Sequence, residues 1–133
     1  MPHTAGIKMR VWGKKLQDLF LNALRGMVFY LKPEILHSKK TPKIKQEIKI
    51  TSVDINSLLI DFLSEAVAQS DNKNTVFYKS SFSEFGENFL EGIIYGAPVD
   101  GFDKEIKAVS YHEVDIKRNP ETGFYETTLV FDI

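Results

Sequence analysis

Four residues close together in the later part of the chain carry the chemistry this sequence has to offer: Lys107, Ser110, His112 and Asp132. A fixed ammonium can stabilise developing phosphate charge, and a carboxylate can position a cation. Asp132 and the terminal carboxylate of Ile133 are hard oxygen donors that suit Ca2+ or Mg2+ better than a soft metal, although two donors alone make a weak site. His112 beside Ser110 has the residue types of a small hydrolase or phosphotransferase with a histidine base. That class lacks its supports here, because no nucleophile elbow, phosphate-cradling glycine loop or complete triad is present. The plainer alternative makes Lys107 and Asp132 a solvated surface pair worth at most about 1 kcal/mol and His112 an exposed strand residue.

The elements that carry these residues decide between the readings. Ile106 to Ile116 and Phe124 to Ile133 are extended runs joined by Asn119, Pro120 and Gly123, the pattern of a β-hairpin with an irregular turn. If Ile116 faces Tyr125, Asp132 lies beside Val109 and Ile133 beside Ala108. A slip of a residue or two still leaves Lys107 near the terminal carboxylate. In an ideal strand His112 shares a face with Ser110 and points away from the face of Lys107, so a Lys107–His112 acid–base pair is not expected.

Upstream, Ile7, Met9 and Val11 alternate with Lys8 and Arg10, as in a half-buried strand. Leu16, Leu19, Phe20, Ala23, Met27 and Tyr30 recur at helical spacing and predict an amphipathic helix ending before Pro33. Glu34 to Lys43 reads as a loop and Ile44 to Ile50 as a second strand. Asp54 or Ser52 is placed to cap a second helix, with Leu58, Leu59, Phe62, Leu63, Ala66 and Val67 on its apolar side and its end near Gln69. Ser70 to Asn74 reads as a turn; strands follow at Thr75 to Tyr78 and Phe89 to Tyr95, on either side of a Ser, Glu and Gly segment. Gly96 to Asp103 reads as a loop. The order β-α-β-α-β-β-β-β predicts a single α+β domain over 1–133, with two helices on one face of a largely antiparallel sheet. His3 is expected to be disordered, as chain starts commonly are, the alternative being a place beside the first strand.

Composition narrows the partners. Seventeen Lys and Arg nearly cancel eighteen Asp and Glu, so no global field attracts nucleic acid and strong direct binding to it is not expected. Lys39, Lys40, Lys43 and Lys45 have types that contact phosphate, but no aromatics interleave with them in sequence, and a solvated loop is the simpler reading. The absence of cysteine removes disulfides and thiolate chemistry and suits a cytoplasmic protein. No segment has the apolar length of a membrane span or a signal peptide.

In order and spacing, these pieces resemble the archease family over nearly the whole chain. His3-Thr4-Ala5 followed by Ile7 is similar to the family's H-T-A-D-[IV] opening, and Val11-Trp12-Gly13 with Leu16 and Phe20 to its W-G-x-x-L-x-x-x-F passage. Asp54 to Leu63 resembles its second helix. Ile106-Lys107-Ala108-Val109-Ser110-Tyr111-His112 is close to V-K-A-[IV]-T-Y-H, and Val130-Phe131-Asp132-Ile133 to the family's closing residues. The resemblance implies an archease-like fold and a non-enzymatic cofactor of an RtcB-type RNA ligase, which promotes guanylylation and multiple turnover in tRNA splicing or RNA repair. It assigns Lys107, Asp132, His112 and Asp54 to a ligase-activating surface. Asp132 and the Ile133 carboxylate would then serve a divalent metal, Ca2+ or Mg2+. The family's acid in H-T-A-D falls at Gly6, and Pro2 stands where an acid usually precedes the histidine. Both departures imply weak metal binding. A chaperone-like module presenting exposed aromatics such as Trp12 and Phe102 is a further alternative.

Overall fold

A computed structural model describes residues 6–38 and 41–133. The expectations for His3, and for Lys39 and Lys40, lie outside the described residues. Strand β1 (Gly6–Gly13) alternates as its sequence predicts and leads into helix α1 (Leu16–Leu31). The Asp18 carboxylate accepts from the backbone N–H of Lys15 at 3.1 Å, satisfying a donor at the helix start. Gly13 is required at this corner, because a Cβ there would overlap the backbone of Asp18 and Leu19. Pro33 ends α1 and opens a short 3-10 helix, Pro33–His37, inside the stretch expected to be a loop.

Strand β2 (Ile44–Thr51) precedes helix α2 (Ile55–Lys73). The helix runs one turn beyond Gln69, absorbing most of the segment expected to turn. It stops where Asn74 adopts a left-handed conformation, φ 48°, with its N–H bonded to the Ser70 carbonyl. Strand β3 (Thr75–Phe85) also runs further than expected, through the Ser and Glu segment, with irregularities at Tyr78 and Ser83; β4 (Phe89–Pro98) takes up the start of the expected loop. The reason for the longer β3 is tertiary. Phe82 meets Phe20 of α1 and Phe62 of α2, and Phe85 meets Phe20, with ring centroids 4.9 to 6.4 Å apart.

The two helices and the antiparallel pairing are those expected of an α+β chain, and the strands divide between two sheets. One has the order β2-β4-β3. In the other, β7 (Tyr125–Asp132) lies between β1 on one side and, on the other, the two-residue strands β5 (Ala108–Val109) and β6 (Lys117–Arg118). Both helices touch strands of both sheets, so that Val11, Phe20, Phe62, Phe77, Leu129 and Phe131 belong to one buried cluster. No helix among the described residues is long and apolar enough to cross a membrane.

The long strand expected over Ile106 to Ile116 is not continuous. Near the turn Arg118 faces Tyr125 rather than Ile116, while at the far end Ala108 faces Asp132 and Val109 faces Phe131. Seven residues, 110–116, therefore lie opposite four, 127–130, and three extra residues leave the ladder as a bend. Glu113, at φ 68°, sits in that bend.

Candidate functional site

At the end of the β1-β7-β5 sheet, Asp132 stands between Gly6 of β1 and Ala108 of β5. The backbone N–H of Lys107 donates to the Asp132 carbonyl at 2.7 Å, and that of Ser110 to Val130 at 2.9 Å. The main chain of Lys107 is thus fixed against the last strand, as the hairpin reading anticipates. Asp132 is half-buried and Lys107 exposed, and among the described residues no ion pair joins them.

Asp132 follows buried Phe131 and, paired with exposed Ala108, belongs to the outer face, whereas Lys107 precedes β5, next to buried Ile106, and borders α2. A groove on the helix side is lined by Lys107, Val109 and the small side chains Ser64 and Ala68 of α2, together with Asp71. Ile133 is half-buried.

His112 is exposed in the bend rather than in an ideal strand, so the face-sharing argument for it does not apply. Its backbone N–H donates to Ser110 Oγ at 2.9 Å, which makes that hydroxyl the acceptor of a local turn. Three further hydrogen bonds and one ion pair fasten the bend. Tyr111 donates its phenol to Asp61 Oδ1 of α2, and Ser52 donates to Asp61 Oδ2 at 2.5 Å. The Ile116 N–H reaches Asn56 Oδ1 at 2.8 Å, and the Asp115 N–H reaches Thr127 Oγ1 at 2.9 Å. Lys8 pairs with Glu113 at 3.1 Å. The Asp61 carboxylate, accepting the hydrogen bond, holds the Tyr111 phenol above its ordinary pKa, with desolvation and the carboxylate's charge acting in the same direction.

Asp54 caps α2 by accepting the Ser57 N–H at 2.7 Å, as predicted. It does not join Lys107: the α2 residues beside Lys107 begin at Ser64, roughly 15 Å along the helix. Sequence reasoning missed Asp61, Asn56 and Tyr111. The available signal was a carboxylate at Asp61 set between the core residues Ile60 and Phe62.

The model of the Archease protein family (MTH1598/TM1083) matches residues 1–133. The chain belongs to the archease family. Relatives called protein archease include one from Methanosarcina mazei, 29% identical over 141 residues, covering all of this chain and 93% of the relative. Another, from Sulfurisphaera tokodaii, is 32% identical over 136 residues, with 98% and 94% covered. The solution structure of Methanobacterium thermoautotrophicum protein 1598 superposes with a TM-score of 0.74 at 25% identity, covering 100% and 96% of the two chains. The crystal structure of a Thermotoga maritima archease, described as a possible chaperone, has a TM-score of 0.67 at 18% identity, with 100% and 94% covered, and shares the fold.

Gly6, which the sequence resemblance sets at the place of an acid, lies directly opposite Asp132. Glycine supplies no side-chain oxygen, and among the described residues no three acidic or histidine side chains are grouped to hold a metal. This donor set does not fit a complete hard-cation site.

Proposed function

We propose that this archease-family protein activates an RtcB-type RNA ligase, and that the sheet end bearing Lys107 and Asp132 is its working surface. The observation that carries the proposal is the Lys107 N–H to Asp132 carbonyl bond, which ties the main chain of an exposed lysine to the end of β7. A long cationic side chain with a fixed root is suited to reach into a partner's nucleotide site and stabilise phosphate charge as guanylylation proceeds. The groove beside Lys107 offers the partner a place to lie, and the fastened bend carrying His112 adds a second contact. Because the donor set at Gly6 and Asp132 is incomplete, no step is assigned to a metal held by this chain alone.

Single-turnover guanylylation of the ligase, with and without this protein, tests the proposal. Lys107→Ala and Asp132→Ala are expected to lower the stimulated rate at least tenfold while circular dichroism stays unchanged. Full stimulation by both folded variants would reject it. The hydrolase alternative gains no support from the bond between its two residues, which runs from the His112 backbone N–H to Ser110 Oγ and does not involve the imidazole. A chaperone-like reading is favoured by one observation, the 56% exposure of Trp12. Prevention of client aggregation that is lost in Trp12→Ala would support it.

A further inference from the structure

On the solvent face of the β2-β4-β3 sheet, Lys45 and Lys79 stand directly cross-strand from Tyr95, one on each side. Each ammonium lies 5.9 Å from the centre of the tyrosine ring, and the phenol oxygen is 3.0 Å from Ser81 Oγ. The ion pairs among the described residues lie elsewhere, at Lys8–Glu113, Arg10–Glu126, Lys32–Glu34 and Lys117–Asp115. Along the same face, Glu47 stands one row further from Tyr95, and Glu91 opposite Lys49 two rows further. The end of the sheet at Tyr95 is therefore locally cationic although the chain as a whole is not.

The face continues into a groove. Lys43 is held beside Gly96 by its N–H bond to that residue's carbonyl at 3.1 Å. It lines a cavity with Ala97, Pro98, Ile35 and Tyr78. Tyr78 is the extra residue of a β-bulge, between the pairs Phe77–Gly96 and Lys79–Tyr95, and a bulge re-aims its side chain out of the normal alternation. Ala97 shares the strand face of Tyr95, so the cavity borders the lysine pair. The aromatics that the basic stretch lacks in sequence are thus supplied by neighbouring strands.

We propose that this face binds single-stranded nucleic acid, with phosphate between Lys45 and Lys79 and a base against Tyr78 in the adjoining groove. Ammonium groups around a phosphodiester combined with an aromatic wall for a base is the general chemistry of such surfaces. An acidic peptide would satisfy the lysines and leave the aromatic groove unused, which favours the nucleotide. The near-zero net charge supplies no long-range attraction, so the binding is local, weak and salt-sensitive. This surface is separate from the edge at Lys107, and its test needs no ligase.

Anisotropy titration of labelled oligouridylate and oligoadenylate with the full chain at low salt is the direct measurement. Binding is expected to weaken at least tenfold in Lys45→Gln/Lys79→Gln and in Tyr78→Ala, and to be retained in Tyr78→Phe and in Arg25→Gln on the exposed side of α1. Two neutralised phosphates, one at the Lys45–Lys79 pair and one at Lys43, predict a log–log salt slope of about −1.4. Amide shift mapping on the wild type supplies a readout free of folding effects, with perturbations expected at residues 43–47, 78–81 and 95–98. No binding by the wild type, shifts confined to other regions, or unchanged affinity in the folded double variant would overturn the proposal. Polyglutamate binding as tightly as the oligonucleotides would also overturn it and assign the face to an acidic protein segment.

Discussion

Gly6 faces Asp132 across the β1–β7 pair, with its Cα exposed on the outer side of the sheet. A Cβ built there meets only Phe131 O at 3.6 Å and Val130 Cγ1 at 4.0 Å, both ordinary contacts. Aspartate fits at this position without moving the strand. Gly6→Asp is therefore expected to bring a second side-chain carboxylate beside Asp132 and to raise calcium affinity at least tenfold. Isothermal calorimetry on the isolated protein measures this. Equal affinity of wild type and variant would show that the missing acid does not limit cation binding.

Tyr111 is 60% exposed, yet its phenol is anchored on Asp61 of α2. Tyr111→Phe removes one charge-assisted bond at a wet site and is expected to cost about 0.5–1 kcal/mol. The larger effect is local: amides of residues 110–116 should exchange faster with solvent while those of α2 do not change. Uniform exchange across both segments would mean that the bend is held by the Asn56, Thr127 and Lys8 contacts alone.

The same pair sets an alkaline limit. The Tyr111 pKa is raised in the folded chain, because its ionisation would place negative charge against Asp61. Its contribution to stability is complete below the ordinary tyrosine value near 10. It is lost as pH climbs through the raised value, since the unfolded chain releases this proton first. The stability difference between wild type and Tyr111→Phe is thus expected to shrink above pH ~10. Denaturant titrations in neutral and alkaline buffer check it, and a gap that widens with pH would contradict the assigned bond.

Asp54 acts through the start of α2. Asp54→Ala is expected to destabilise the protein by about 1 kcal/mol, and Asp54→Ser to recover most of the loss, because serine also accepts from the first-turn N–H groups. Urea midpoints distinguish the two. If serine proves no better than alanine, the carboxylate's charge rather than its cap bond is what matters.

Phe20 is fully buried and touches Phe62, Phe82 and Phe85. Phe20→Ala is expected to cost about 3–5 kcal/mol, against less than about 0.5 kcal/mol for a substitution at exposed Phe29. Denaturant unfolding of both variants measures the contrast.

Much of this was legible in the residues. The spacing of Leu19, Phe20, Ala23 and Met27 specified α1, Asp54 specified the start of α2, and the hairpin brought Asp132 to within one register position of its observed partner. What escaped was set by distant contacts. Residues 110–116 have strand-forming character, and nothing local reveals that β7 offers only four positions opposite them, or that Asn56 and Asp61 will take the released groups. The division into two sheets depends on which strands the helices separate, a global choice. Period-two alternation tells which residues turn inward but not which neighbour a strand will find.

Strand β1 is bonded along its whole length to β7, from Gly6 against Asp132 to Gly13 against Tyr125. During synthesis β1 leaves the ribosome well before β7, and its edge waits for that partner until β7 has been made. Assembly of that sheet is then governed by long-range closure, and loss of even a few residues from β7 would leave β1 without its partner.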